Sequence, residues 1–238
     1  MQLVGFTTGS LYKSRLSMKK VLELYLEAGA NAVELSLATP EELSNFKLDE
    51  EMLSLLNKFD FVSIHAPMKD MTYKDDKKTR KVIEQLRRIC DKISIRGLVL
   101  HPNIIEDFDI LNDSNLPFLI ENMDHKKNVG TTVEEFKEYY EKYDFDFVLD
   151  LQHSYEYDPS MKLAKEFLLA MADRLHHLHV SGQDSIERRH VLTYRAKNRE
   201  AIERALKLQI HVPKILEGFL EEPDLEDLKK EIQYVRQF

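Results

Sequence analysis

Six residues, each closing a short apolar run, carry the chemistry open to this chain. They are His65 after Phe61-Val62-Ser63-Ile64, His101 after Leu98-Val99-Leu100, Glu121 after Leu119-Ile120, Asp150 after Phe147-Val148-Leu149, His179 after Leu178's run, and Glu217 after Lys214-Ile215-Leu216. A single histidine at such a place commonly does no more than hydrogen-bond a loop carbonyl. The carboxylates are harder to dismiss, because an ionised carboxylate in a cavity is costly unless it is paired or holds a cation. Three of them near one another repel. Bound cations remove that cost and give the histidines among them a purpose. Mixed imidazole and carboxylate ligands suit Zn²⁺ first and Mn²⁺ second, whereas Ca²⁺ prefers oxygen alone. Four ligands suffice for one ion, and six candidates with bridging carboxylates allow a centre of more than one.

These residues need a scaffold that brings the ends of distant strands together. Eight apolar runs recur along the chain: Leu3–Thr8, Ala32–Ser36, Phe61–His65, Gly97–His101, Pro117–Glu121, Phe145–Asp150, His176–Val180 and Pro213–Glu217. Their near-continuous Val, Ile, Leu and Phe content fits parallel strands covered by helices. Between them lie helical patterns at Ser17–Ala28, Asp75–Cys90, Thr132–Tyr143, Pro159–Leu175, Lys197–Leu208 and Asp224–Phe238. In Pro159–Leu175 the residues Leu163, Phe167, Ala170 and Met171 make one expected core stripe. Thr132 with Glu135 predicts a capping box, and Asp158-Pro159 a capped helix start. Asp49–Lys58 allows only a short helix, and Ile104–Asn115 barely one turn.

Alternating strands and helices also fit an open doubly wound sheet, but no strand here is followed by a glycine-rich dinucleotide turn. Each of the six polar residues falls at the carboxyl end of a different strand, the rim where barrel enzymes keep their sites. The expected fold is therefore an α/β (β/α)₈ barrel, with residues 1–238 as one domain.

Composition narrows the field. At 238 residues the chain is the right size for one barrel, and 43% hydrophobic with 32% charged residues is ordinary for a globular protein. The net charge of -8 disfavours DNA as a partner, since duplex binding draws on cations that neutralise phosphates. Bound divalent ions or a local basic rim would offset that charge where it matters. The lone Cys90 excludes an internal disulfide and reads as a small buried hydrophobe. Met1–Phe6 reads as a strand instead of a targeting signal, no run is long enough for a membrane span, and a cytoplasmic location is the default expectation. The oligomeric state is not readable.

In this order on successive strands, Ser63-Ile64-His65-Ala66-Pro67, Leu98-Val99-Leu100-His101-Pro102, Leu119-Ile120-Glu121-Asn122, Leu149-Asp150-Leu151-Gln152-His153, Leu178-His179-Val180 and Ile215-Leu216-Glu217 form a recognisable set. Across essentially the whole chain, it resembles the endonuclease IV-like apurinic/apyrimidinic endonucleases and the related xylose isomerase-like sugar isomerases and epimerases. Endonuclease IV-like enzymes carry three zinc ions on nine ligand positions, eight of which have a matching residue here. The resemblance implies one ion on His65, His101 and a bridging Glu121. It implies a second on Glu121, Asp150, His179 and Glu217, and a third that uses His153 and His190.

The ninth position departs from the family. Asp-Arg-His is replaced by Arg188-Arg189-His190, and Glu187 would substitute for the missing carboxylate only if the loop shifted by one residue. Met68 replaces the tyrosine that follows His-Ala-Pro, Met123-Asp124-His125-Lys126-Lys127 replaces a glycine-rich stretch, and Val191-Leu192-Thr193-Tyr194 replaces Gly-Glu-Gly. The chain is also shorter than such endonucleases, leaving less room for loops that kink DNA. Two ions and a small phosphoester are therefore expected in preference to three ions and a duplex.

In that reading Glu121 and Glu217 are the catalytic carboxylates, and Arg188, Arg189 and Arg195 contact phosphate, with Lys69 and Lys74 adding attraction at the opposite rim. The alternative is a sugar or sugar-phosphate isomerase or epimerase. There one ion would suffice, and Glu121 and Glu217 would exchange a proton from opposite faces. A non-catalytic metal- or ligand-binding barrel is the third reading. The number of bound ions separates the first two, and turnover separates both from the third.

Overall fold

The computed structural model describes residues 2–185, 187–208 and 211–238, so Met1 of the expected first strand lies outside the described residues. In chain order the strands are β1 (Val4–Thr7), β2 (Ala32–Ser36), β3 (Phe61–His65), β4 (Leu98–Leu100), β5 (Phe118–Glu121), β6 (Asp146–Asp150), β7 (Leu175–Val180), β8 (Gly182–Gln183), β9 (Arg189–Val191) and β10 (Lys214–Leu216). Strands β1 to β7 and β10 pair in parallel and close into a barrel, β10 lying between β7 and β1. This is the (β/α)₈ architecture expected from the alternating runs.

Helices α1 (Met18–Glu27), α2 (Pro40–Asn45), α3 (Glu50–Leu56), α4 (Lys77–Cys90), α5 (Asp109–Asn112), α6 (Val133–Lys142), α7 (Leu151–Tyr157), α8 (Lys162–Ala170), α9 (Arg199–Leu206) and α10 (Leu225–Val235) connect the strands. Helix α4 shows the logic. Val82, Ile83, Leu86 and Ile89 recur at three- and four-residue spacing and are buried, each such side chain contributing roughly 1.5–3 kcal/mol. Asp76 caps its start by accepting from the Thr79 amide. The capping box of Thr132 and Glu135 is present at the start of α6. Cys90 ends α4 half-buried, and burial raises its thiol to about 11.

The segment after β6 holds one unanticipated helix and one expectation that fails. The run Leu151–Tyr157 is a helix of its own, because the Asp150 side chain accepts from the His153 amide at 2.7 Å and starts α7 directly from the strand. The expected cap at Asp158-Pro159 does not start α8. Asp158 instead accepts from the amides of Ser160 and Leu163, forming a turn, and α8 begins at Lys162 after Met161 at φ 63°. The stripe of α8 shifts accordingly: Ala164, Phe167 and Met171 are buried, while Ala170 is exposed.

Most of the apolar core lies between strands and helices. Inside the barrel the packing divides. Val99, Leu119 and Val148 form a small apolar cluster of their own, whereas Glu34, Ser63, His177 and His179 are all fully buried polar side chains. Gly5 allows β1 and β2 to approach, since a Cβ there would meet the Ala32 carbonyl oxygen. Among the described residues no helix is long and apolar enough to cross a membrane.

Candidate metal centre

At the carboxyl end of the barrel the expected side chains come together in two groups that share one residue. His65, His101 and Glu121 form the first; Glu121, Asp150, His179 and Glu217 form the second. His65 and His101 bring their Nε2 atoms within 3.2 Å of each other and within 3.5 and 3.2 Å of Glu121 Oε2. His65 Nδ1 lies 3.2 Å from the Ala66 carbonyl, to which its N–H donates, leaving the Nε2 lone pair turned inward. The other oxygen, Glu121 Oε1, lies 3.0 Å from His179 Nδ1, which is also 3.4 Å from Glu217 Oε1. Glu121 thus presents one oxygen to each group.

The cluster is built for positive charge. Glu121 Oε2 and Asp150 Oδ2 are buried and accept no hydrogen bond. Burial would raise the Glu121 carboxyl, but His179 and His101 beside it hold it well below the ordinary range. Burial, reinforced by Asp150 and Glu121 against the opposing pull of His179, pushes Glu217 up to about 8. His179 is buried yet held well above its ordinary value by Glu217, Glu121 and Glu34. A donor set of imidazole nitrogens and orphaned carboxylate oxygens fits Zn²⁺ or Mn²⁺.

Asn122 braces this arrangement, a role the sequence did not expose. Its side chain accepts from the Asp150 amide at 2.7 Å and donates to the Asp150 carbonyl and Ser154 Oγ. Its own carbonyl lies 2.8 Å from His153 Nδ1, which fixes that ring with Nε2 free. Only the Glu-Asn pairing at the end of a strand hinted at this. Glu34 and His177, which form a third group with His179, also went unnoticed because both sit inside otherwise apolar runs.

His153 stands on α7, while Arg189 and His190 stand on a small antiparallel ribbon, β8 with β9, inserted after β7, and Arg195 follows it in a short turn. His190 is on β9 at φ 48°, its Nδ1 3.1 Å from Ser181 Oγ and 3.6 Å from Glu217 Oε2. Its ring centre is 6.0 Å from that of His153. The ribbon is seated against the end of β10 at Gly218, where a Cβ would meet the Leu192 backbone at 2.8 Å.

The structure does not bring the basic residues into the cluster as free phosphate contacts. Arg188 is 71% exposed and 3.4 Å from Asp184. Arg189 lies 3.2 Å from Asp124 and 3.0 Å from Glu156, and Arg195 lies 2.8 Å from Asp227. Glu187 is exposed and accepts from Ser185 Oγ, so it does not replace the carboxylate missing at Arg188. Lys74 pairs with Glu106 at 3.6 Å; Lys69 lines a neighbouring cavity.

A cavity of about 140 Å³ opens over Glu121, His65, His101, His153, His190 and Glu217. It adjoins one of about 380 Å³ through shared Met68 and Phe219. Through His190 and Phe219 it also adjoins a cavity of about 840 Å³ that Arg188, Arg189 and Arg195 line.

The chain belongs to the xylose isomerase-like TIM barrel family, whose model matches residues 22–238. No curated protein matches it in sequence. Among solved structures it is similar to endonuclease IV from Thermus thermophilus, with 17% identity, TM-score 0.71, and 98% of this chain and 97% of that one covered. It is similar to D-psicose 3-epimerase from Clostridium cellulolyticum, with 14% identity, TM-score 0.70, and 100% and 98% covered. It is likewise similar to 3-keto-D-glucoside 4-epimerase from E. coli, with 12% identity, TM-score 0.71, and all of both chains covered. At such identities the likeness concerns the fold, and the reaction must be argued from the site.

Proposed function

We propose that this protein is a divalent-metal-dependent hydrolase of small phosphoesters, working at a two-ion centre. The observation that carries the reading is Glu121, whose two oxygens face two separate sets of imidazoles. His65 and His101 would hold one ion with Glu121; Asp150, His179 and Glu217 would hold the other with the same carboxylate. Divalent ions so placed would supply Lewis acidity toward a water and the phosphoryl oxygens. Asn122 and Asp150 brace the second group, and the cavity over the cluster has room for a compact ester. Glu217, 14% exposed at the edge of the cluster, would help position an incoming water beside the second ion. His190, close to Glu217 and bordering the cavity, is placed to orient the substrate.

The third ion of endonuclease IV-like enzymes has no place in this reading. His153 and His190 supply two imidazoles, and neither Arg188 nor Glu187 completes the set. DNA is therefore not the proposed substrate.

A second reading, sugar or sugar-phosphate epimerisation, draws on the contrast between Glu121 and Glu217. One carboxyl is held far below and the other far above its ordinary value, the arrangement expected of an acid–base pair. The deciding experiment combines metal analysis of protein purified without chelator with two assays. Two ions and hydrolysis of small phosphomonoesters or diesters support the first reading. One ion with proton exchange on a ketose supports the second, and metal without turnover on either class leaves a binding protein.

A further inference from the structure

Inside the barrel, Glu34 of β2 forms a sealed polar group with Ser63, His177 and His179, all with no solvent exposure. A buried carboxylate is expensive, and the adjoining cluster of Val99, Leu119 and Val148 shows that the interior can be filled by apolar side chains instead. Something other than packing must account for Glu34.

Its contacts supply the account. Ser63 Oγ donates to Glu34 Oε2 at 2.8 Å. His177 Nε2 and His179 Nε2 each lie 3.4 Å from Oε2, and His179 Nε2 is also 3.3 Å from Oε1. The two histidine Nε2 atoms are 3.2 Å apart. With an ionised acceptor between them, the arrangement is satisfied when both carry hydrogen and both donate to Glu34. His177 Nδ1 then accepts from His176 Nδ1, 2.8 Å away, closing the chain. The strand geometry makes this possible: β7 carries one extra residue between the partners of Phe147 and Val148, so that His177 aligns with Val148 and His179 with Asp150.

We infer that Glu34 is a positioning residue for the metal centre. By accepting from His179 Nε2–H it fixes the tautomer and orientation of that ring, leaving Nδ1 to face Glu121 and Glu217. His177 and Ser63 in turn hold Glu34. A carboxylate behind a metal-binding imidazole raises the ligand's basicity and commonly governs affinity by 10- to 100-fold. The group of Glu34, His177 and His179 is closed to solvent, and its donors converge on Glu34 Oε2, so it is read here as support for His179 and not as a separate ion site. This inference rests on the reading of His179 as a ligand.

The test uses the full chain, zinc as the probe, and two readouts. In wild-type protein with labelled histidine, nitrogen–proton correlation spectra of the zinc-loaded state should show His179 protonated on Nε2 and perturbed by zinc at Nδ1. In Glu34→Gln, which keeps volume but loses one acceptor, competition with a chromophoric chelator should show zinc affinity reduced about 10- to 100-fold. Ser63→Ala should lower affinity less. Wild-type protein that takes up no zinc overturns the metal reading and this inference together. Zinc uptake with His179 protonated on Nδ1, or a folded Glu34→Gln with undiminished affinity, overturns the positioning role alone. Should Glu34→Gln fail to fold, the wild-type spectrum decides.

Discussion

His65, His101, Glu121, Asp150, His179 and Glu217 stand on, or directly after, strands of a closed barrel, whereas Arg188, Arg189 and His190 stand on a ribbon whose strands are two and three residues long. The strand-borne side chains converge: their nitrogen and carboxylate atoms form two groups sharing Glu121. Those on the ribbon diverge. Arg188 points to solvent, Arg189 ties the ribbon to Asp124 and Glu156, and only His190 reaches the mouth. A barrel strand fixes the direction of its side chains through pairing on both sides. The two short strands of the ribbon pair only with each other, and they are held to the barrel by local contacts such as Phe219 N–H to the His190 carbonyl and the Arg189 ion pairs.

That contrast can be broken most forcefully at Glu121. Glu121→Gln preserves volume and removes the charge both groups share, so turnover is expected to fall by more than about a hundredfold with loss of most bound metal. Circular dichroism should remain that of the folded barrel. Normal metal content in this variant would show that the two groups are independent of Glu121.

The next largest effect separates the two strand-borne groups from each other. His65→Ala combined with His101→Ala should release about one equivalent of metal and leave the ion held by Asp150, His179 and Glu217. Unchanged stoichiometry would argue for a mononuclear centre and for the epimerase reading.

On the ribbon, Arg189→Met should act on stability more than on metal. It strands the Asp124 and Glu156 side chains, which are 10% and 2% exposed, at a cost of about 2 kcal/mol in denaturant unfolding. An unaltered unfolding midpoint would mean that the ribbon is held by its other contacts.

Titration should distinguish metal-free from loaded protein. Glu217 is raised to about 8 by burial and neighbouring carboxylates. His153 is raised to about 9 because Asp150 and Glu121 outweigh its burial. Both native groups hold protons that the unfolded chain releases at lower pH. Their stabilisation is therefore complete below the unfolded values and is lost as pH rises through about 8 and then about 9. Zinc binding should show the reverse slope, tightening with rising pH as ligand protons are displaced. Thermal melts from about pH 5 to about pH 9.5, with and without zinc, would expose both trends. A metal-free protein that grows more stable over the upper part of that range would contradict the first.

The smallest effect is expected at Arg188. Its side chain is exposed and directed at Asp184, so Arg188→Asp should leave the metal stoichiometry of the unmodified protein unchanged, and neither protein should cleave an abasic duplex efficiently. Uptake of a further ion by this variant would show that the ribbon is mobile enough to rebuild the third site and would erase the distinction between the two halves.

Much of this was legible in the chain itself. Short apolar runs alternating with amphipathic segments determined the barrel, because a parallel strand covered by helices must be apolar nearly throughout. A polar residue closing such a run is conspicuous, which is why the six strand-end residues could be named in advance. Tertiary structure alone decided the rest. Glu34 and His177 lie within strands whose local pattern says nothing about them, and their meaning arises from contacts between residues more than a hundred positions apart. The fate of Arg189 and Arg195 was equally hidden, since their carboxylate partners Asp124, Glu156 and Asp227 lie more than thirty residues away in sequence. Helix α7 was missed because its start depends on one side-chain oxygen of Asp150 reaching the His153 amide. Periodicity records which face of an element is buried; it does not record which polar groups meet inside.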